Sequence, residues 1–426
     1  MNLKEVWLID YARTAFSRSR PEQPERDVFG EIRGDELLAR LLMNFFDGKL
    51  MDKGITQKDI EEISIGVASG VLENWTYGGK IPLYLTGFPN KVSSFFIDKQ
   101  CASAGAGMHV LTMEIMTGNT KCALATGFEH MTRVRRIGIA PEWERFTNDK
   151  SKFYSPDIDI MNSTNMLQTA QRLYEEEVPR FTKEDMDKFG VRSHNLTVKN
   201  HEAGWFKGEI IPIEGHVEGN VNESMMVDRD MAARKSTLEG VAGLRRISIP
   251  FYFEKNGGKQ GYIEREGTEE GVITAGNSSP LNAGATAAVL MDAEEATRRG
   301  LEPMARIISI GWAGVDPRVM GRGPVPATRK ALDQAGLSAE EIDYWEINEA
   351  FCIVALNCMD KFNIAEEKVN IMGGSTAIGH PLGSTMIRLT GTLARILKDK
   401  KARYGVANAC VGGGQGLATV IENLDA

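Results

Sequence analysis

Short apolar runs that end at chemically useful residues recur along this chain. Val6–Asp10 is an apolar run of strand length. Leu37, Leu38, Leu41 and Leu42 fall at helical spacing and predict a helix over Asp35–Phe46. Thr56 is placed to cap a following helix, with Asp59 and Glu61 in its first turn. Ile63–Val67 and Val92–Asp98 read as strands, and the second runs directly into Lys99-Gln100-Cys101. Small residues follow, then the apolar helical stretch Met108–Met116 and a strand at Lys121–Thr126 that ends at Gly127. This alternation predicts an α/β fold with helices packed on a sheet.

From about Thr132 to Gly271 the chain is charge-rich and poor in clean strands. One long helix is legible there, Lys183–His201, capped by Thr182. Glu254–Gly271 reads as an exposed excursion, and the whole stretch as an insertion in the core fold. Regular α/β signals return at Gly271–Thr274. They continue through the small apolar run Ala283–Met291, the strand Met304–Gly311 and the helix Pro326–Ala335, stopped by Gly336. Ile342–Ile347 is a strand running into Asn348, and Phe351–Phe362 is helical. Val369–Met372 leads into a glycine-rich loop, Arg388–Lys398 is a helix, and the strand Tyr404–Ala409 runs into Cys410. Cys101 and Cys410 each end a strand and are each followed by glycines at +4 and +6, an echo that suggests two related halves.

Composition narrows the class. The chain has 426 residues, enough for two or three domains or sub-domains and a large core. With 50 basic and 58 acidic residues its formal net charge is −8, which argues against nucleic acid as the main partner. The five cysteines are scattered without a CxxC pair, and the six histidines show no HExxH pairing. That excludes a disulfide framework and predicts no metal, in a reducing compartment. MNLKEVWLIDYART has no signal-peptide pattern, no run reaches membrane-spanning length, and NLDA is no peroxisomal address, so the expectation is a cytoplasmic enzyme.

Cys101 precedes a helix that starts in small residues, where unpaired N–H groups stabilise a thiolate. A nucleophile and a buried packing cysteine both fit this local sequence. His380 lies in Gly-Gly-Ser-Thr-Ala-Ile-Gly-His-Pro-Leu-Gly, where Pro381 restricts its backbone; that makes it a candidate base for Cys101, or a histidine in a tight turn. Cys410 precedes Val-Gly-Gly-Gly-Gln-Gly, whose amides can face a developing oxyanion or simply make a turn. Asn348, between a strand and a helix, is either a side-chain donor or an N-cap. Cys122, Cys352, Cys358, His109, His194 and His201 fall in apolar or helical patterns and read as packing.

Taken together, DYARTAF (10–16), KQCASAG (99–105), TGFEHM (126–131), VRSH (191–194), TAGNSSPLNAGATAAVLM (274–291), GRGPVPA (321–327), NEAF (348–351), GGSTAIGHPLG (373–383) and ACVGGGQG (409–416) resemble the thiolase family along nearly the whole chain. The resemblance implies a thiolase fold: a duplicated βαβαβαββ core in five layers (αβαβα) with an inserted loop domain. In this chain it implies an N-terminal half at 1–132 completed by about 276–302, a CoA-binding loop domain at 133–275, and a C-terminal half at 303–426. It further implies that Cys101, activated by His380, forms an acyl-enzyme. Cys410 would exchange the α-proton, Asn348 and His380 would stabilise the enolate, and the amides of Cys101 and Gly412 would form an oxyanion hole. Met166, Ala275, Ser279, Ala350 and Phe351 align with the pantetheine tunnel. Arg229 and Arg234 are candidates for the CoA phosphates, or else lie on a solvated face.

The implied reaction is thiolysis of a 3-oxoacyl-CoA or the reverse Claisen condensation, with coenzyme A or acyl-CoA as substrate and no permanently bound cofactor. A homodimer or homotetramer is the family expectation, and a small zinc-ribbon/OB-fold partner accompanies some members with atypical loop domains. Departures from the family pattern cluster around the acyl and CoA positions: Asn165-Met166 for His-Met, Gln168 and Gln171 in the following helix, Ala283 for Asp, and Ser384-Thr385-Met386 for Ala-Ser-Gly. They point to a branched, longer or aromatic 3-oxoacyl group over acetoacetyl. Two alternatives remain at this level: a ketoacyl-synthase-type condensing enzyme, and a non-catalytic acyl-CoA- or lipid-binding relative.

Overall fold

The computed structural model describes residues 3–134, 163–177, 180–247, 251–256, 259–264 and 271–426, with side chains of 251–264 excepted. In chain order the first part comprises β1 (Val6–Arg13), α1 (Gly34–Phe45), β2 (Glu62–Gly66), α2 (Lys80–Thr86), β3 (Ser93–Ile97), α3 (Ser103–Thr117) and β4 (Cys122–His130). Then come α4 (Met166–Glu177), α5 (Lys183–Glu202), β5 (Ile213–Val217), β6 (Asn220–Val227), α6 (Leu238–Ala242), β7 (Phe251–Asn256) and β8 (Lys259–Glu264). The last part holds β9 (Ala283–Asp292), α7 (Ala293–Arg298), β10 (Ala305–Gly314), α8 (Pro324–Ala335), β11 (Tyr344–Ile347), α9 (Cys352–Lys361), α10 (Ser375–Ile378), α11 (Thr385–Lys400), β12 (Tyr404–Val411) and β13 (Gln415–Glu422).

Among the described residues, nine strands form one mixed sheet in the order β11-β12-β13-β10-β1-β9-β4-β2-β3. It is two half-sheets joined by the antiparallel β1–β10 pair, Val6 opposite Ile307 and Leu8 opposite Ala305. Numbering each half by its own strands, the first runs 3-2-4-5-1 and the second 2-4-5-1. The second half's third position is a single bridge between Trp345 and Val369. This repeated order confirms a duplication, but not by the echo between the cysteines. Cys101 follows the third strand of its half, whereas Cys410 lies in the fourth strand of the other. By topology, the counterpart of the Cys101 loop is the loop carrying His380.

The layers follow from which faces are apolar. Leu37, Leu38, Leu41 and Leu42 of α1 pack on Ile63, Ile65 and Val289. Met108, Leu111 and Ile115 of α3 share a cluster with Met386, Leu389 and Leu393 of α11, between strand residues of both halves. Ala327 and Ala331 of α8 and Ile353 and Val354 of α9 cover Val406 and Val420 on the far side. β4 and β9 therefore have helices on both faces and are buried at every position, so they lack the alternation of a half-exposed strand.

Three local readings change. Thr56 caps a turn, not a helix: Asp59 accepts hydrogen bonds from the Thr56 N–H and hydroxyl, and β2 begins at Glu62, which leaves no room for a helix. The β5–β6 hairpin, and α4 as a second helix, lie in the stretch that read as poor in clean strands with one long helix. β7 and β8 pair as a hairpin within the excursion expected at Glu254–Gly271, whose exposure lies outside the described residues. The helix from Lys183 starts on a capping box, Thr182 Oγ1 accepting from Asp185 N–H and the Asp185 carboxylate accepting from Thr182 N–H.

Candidate active site

β3 delivers Cys101. The chain leaves the strand at Ile97 and turns through Gln100 in the left-handed region at φ 48°, held by Asp98 Oδ1, which accepts from Gln100 N–H at 2.8 Å. Ser103 Oγ accepts from Lys99 N–H at 2.9 Å and donates to Gln100 O at 2.7 Å, which fixes the turn against the start of α3. Cys101 thus sits in the turn that runs directly into a 15-residue helix, whose dipole favours a thiolate. It is buried among Ala68, Met131 and Leu382 and lines a cavity of about 1020 Å³.

His380 reaches the same cavity from the other half of the fold. Its N–H donates to Asn282 Oδ1 at 2.7 Å, and Gly379 before it has φ 118°, where a Cβ would strike the Asn282 amide. The ring Nδ1 is 2.5 Å from Thr385 Oγ1, and Nε2 is 3.4 Å from Asn348 Nδ2. Asn348 extends β11 by one bond, its N–H donating to Asn408 O at 2.9 Å, and is fully buried. Next to it, the buried Glu349 carboxylate accepts from Asn370 Nδ2 at 2.7 Å, Ser193 Oγ at 2.8 Å and Thr376 N–H at 2.9 Å. Glu349 therefore ties the His380 loop to both β11 and α5.

Cys410 lies near the end of β12, opposite Gly416 of β13, and is fully buried. Burial pushes its thiol well above the ordinary range, and the neighbouring Cys101 adds to the shift. It is therefore a neutral thiol at rest. The glycine turn that follows comes back to the nucleophile: a Cβ on Gly412 would lie 3.5 Å from Gln100 Cβ. Cys122 and Cys358 are pushed up to about 12 by burial, and Cys352 is also raised, which fits packing roles.

The cavity collects most of the expected cofactor-side residues: Met166, Ala275, Ser279, Ala350, Phe351 and Arg234 all line it. Arg229 is exposed and does not, and Asn348, Cys410 and Gly412 are buried and not among its lining residues. Inside, Met131, Met166, Leu167, Met320, Phe351 and Leu382 make an apolar surface. At the mouth, Arg18, Arg20, Arg245 and Arg246 join Arg234. Burial lowers the pKa of Arg18, and repulsion from Arg20 and Arg234 adds to the shift, partly opposed by Glu218. Local sequence did not single out these four arginines, because they come together only in the fold. Asn282, Ser375 and Glu349 were also missed as supports, although each lies inside a segment that carries the family likeness; Thr385, just beyond one, stood out only as a departure from the family pattern.

Among the described residues no helix is long and apolar enough to cross a membrane. The family model for the thiolase N-terminal domain matches residues 6–258, and that for the C-terminal domain residues 301–423. Over its whole length the chain is 35% identical to a 3-ketoacyl-CoA thiolase of Marinobacter nauticus and 34% identical to one of Hahella chejuensis, each covered in full. The crystal structure of the Bacillus anthracis acetyl-CoA acetyltransferase superposes with a TM-score of 0.79 at 29% identity, over 99% of this chain and 100% of that one. Human mitochondrial 3-ketoacyl-CoA thiolase gives the same TM-score at 25% identity, with both chains fully covered. Matches of this extent, over both halves of the duplicated fold, make the chain a member of the thiolase family and an acyltransferase.

Proposed function

We propose that the protein cleaves a 3-oxoacyl-CoA with free coenzyme A, or runs the reverse condensation, through an acyl group carried on Cys101. The observation that carries this reading is the convergence of Cys101 and His380 on one cavity with an apolar interior and an arginine-lined mouth. In the cleavage direction His380 takes the thiol proton, and the Cys101 thiolate adds to the 3-oxo carbon. The amides of Cys101 and Gly412 face the oxyanion. The C2–C3 bond breaks, and its electron pair becomes the enolate of acetyl-CoA, stabilised by Asn348 and His380. Cys410 delivers the proton that quenches it; a thiol held neutral by burial is an acid in the resting site, as this step needs. The thiol of free CoA then gives its proton to Cys410 and attacks acyl-Cys101; the shortened acyl-CoA leaves, Cys101 recovers its proton from His380, and the enzyme is regenerated.

The mouth supports the coenzyme assignment. Five guanidinium groups are a good match for the phosphates of CoA, and the apolar walls suit its pantetheine arm and an acyl chain longer than acetyl. The implied self-association has a candidate surface as well. β3 ends the sheet, and Leu72, Trp75, Tyr77 and Tyr84 stand more than half exposed in the segment before it.

Mass spectrometry after mixing with a panel of acyl-CoAs tests the central claim: an acyl adduct on Cys101 is expected. Cys410→Ser should still form it, yet lose α-proton exchange. Full condensation activity in Cys410→Ser would instead favour a ketoacyl-synthase-type mechanism.

A further inference from the structure

Arg388 is fully buried in α11 and does not line the cavity. Its Nη1 donates to Glu346 Oε2 at 2.6 Å, an ion pair between two fully buried side chains. Its Nη2 donates to Ser375 Oγ at 2.9 Å. Ser375 Oγ in turn lies 2.7 Å from Asn348 Oδ1, and Asn348 Nδ2 faces His380 Nε2 at 3.4 Å. On the other side of the ring, Nδ1 is 2.5 Å from Thr385 Oγ1, which is 3.0 Å from Pro381 O.

Four groups in this chain are ambiguous by themselves: two hydroxyls, an amide and an imidazole. The ends are not. A guanidinium only donates, and a carbonyl only accepts. Starting from Arg388, the Ser375 oxygen accepts, so its proton goes to Asn348 Oδ1. Asn348 must then present its NH₂ to His380, whose Nε2 accepts. Starting from Pro381, the Thr385 proton goes to the carbonyl, so the Thr385 oxygen accepts and His380 carries its proton on Nδ1. Both ends demand the same tautomer.

We infer that Arg388 is a positioning residue: through Ser375 it polarises a one-way hydrogen-bond chain that holds Asn348 as a donor and His380 as an Nε2 base. The threonine at 385 keeps the hydroxyl that this chain requires. The inference rests on the reading of His380 as the base for Cys101, but its direct observable, the tautomer, does not depend on activity.

The test uses full-length protein labelled with ¹⁵N-histidine, with the His380 signals assigned from a His380→Asn variant. Wild type should show Nδ1–H with Nε2 unprotonated. Ser375→Ala breaks the chain yet leaves the Arg388–Glu346 pair in place. It should leave the Asn348 amide able to turn over and lower kcat on the order of 10- to 100-fold, up to the lower end of what a placed acid–base group supplies, with KM for acyl-CoA little changed, while the Thr385 end alone still favours Nδ1–H. Disabling both ends, in Ser375→Ala/Thr385→Val, should mix the two tautomers. Arg388→Lys keeps a donor-only group and should retain the wild-type tautomer. A wild-type Nε2–H signal, an unchanged kcat in Ser375→Ala, or a double variant that keeps the wild-type tautomer would overturn the inference. If His380→Ala acylates Cys101 at the wild-type rate, it is the reading of His380 as base that fails, and the tautomer result stands apart from it.

Discussion

Replacing Arg13 with methionine is expected to be among the most damaging changes outside the site. The Arg13 side chain is fully buried at the end of β1. Its Nε donates to Glu209 at 2.7 Å, and its two terminal nitrogens to Asp230 at 2.7 and 2.9 Å. The guanidinium also lies over the rings of Phe16 and Phe206. Removing it strands two buried carboxylates, and abandoning one buried charge costs about 3–5 kcal/mol. Arg395 at 3.1 Å from Glu209 and His201 at 3.0 Å from Asp230 offset part of this, so a total of about 4 kcal/mol is reasonable for Arg13→Met. With an unfolding entropy of about 2.1 cal/mol/K per residue, the whole chain would lose roughly 4–5 °C in Tm. Calorimetry and chemical denaturation read this directly. Because Asp230 also accepts from Phe16 N–H at 2.9 Å, loosening it should displace Arg18 and Arg234 together and raise KM for acyl-CoA. Neutralising the partners as well, in Arg13→Met/Glu209→Gln/Asp230→Asn, should recover much of the loss. A single variant within about 1 kcal/mol of wild type, where exposed ion pairs fall, or a triple variant no better than the single, would refute the argument.

Three further outcomes are expected. Charge reversal at the mouth, Arg18→Glu or Arg234→Glu, should raise KM for acyl-CoA and weaken its salt dependence while leaving Tm near wild type; kinetics over an ionic-strength series measures this. Gly383→Ala brings a Cβ to 2.2 Å from Phe128 O, so it should cost about 1–3 kcal/mol and shift the His380 loop, read as lost Tm and lost kcat. Burial, with Lys99 nearby, pushes His109 down to about 3, and burial, with Arg234 and Arg18, does the same to His194. Both folded values are lowered, so the stability these rings contribute is complete above about pH 6.5 and is lost as pH falls towards 3; at pH 5.5 each ring should cost about 1.4 kcal/mol. A Tm that does not fall between pH 7 and pH 5.5, or a fall unaltered in His109→Gln/His194→Asn, would contradict that.

Much of the fold was legible because apolar runs stop where the chain leaves the sheet. The strands before Cys101 and Asn348 and the capping box at Thr182 follow local rules that packing does not override. β1 and β4 run further than their apolar patterns. Their last residues, Tyr11-Ala12-Arg13 and Phe128-Glu129-His130, include polar groups that are buried because distant partners satisfy them. Glu129, for instance, accepts from Ala68 N–H, Asn74 and Gly383 N–H. β6 was not legible because most of it faces solvent, so no apolar period marks it; its turn at Gly219, φ 82°, shapes the hairpin. The loops that carry Cys101, His380 and Cys410 were recognisable as motifs, but Ser375, Arg388 and Thr385 acquire meaning only through the fold. A polarised chain through four elements leaves no periodic trace.

The first described strand of this chain lies in the middle of its sheet. β1 is fifth of nine, and both of its neighbours, β9 and β10, lie between residues 283 and 314. During synthesis β1 must therefore wait until residues 283–314 have been made before its two neighbours in the sheet exist. Such long-range closure is slow, and the two half-sheets expose unpaired edges until it happens. Translation pauses before residue 283 should thus favour aggregation more than pauses after residue 314. Deleting β1 should open the molecule along the seam between its two half-sheets.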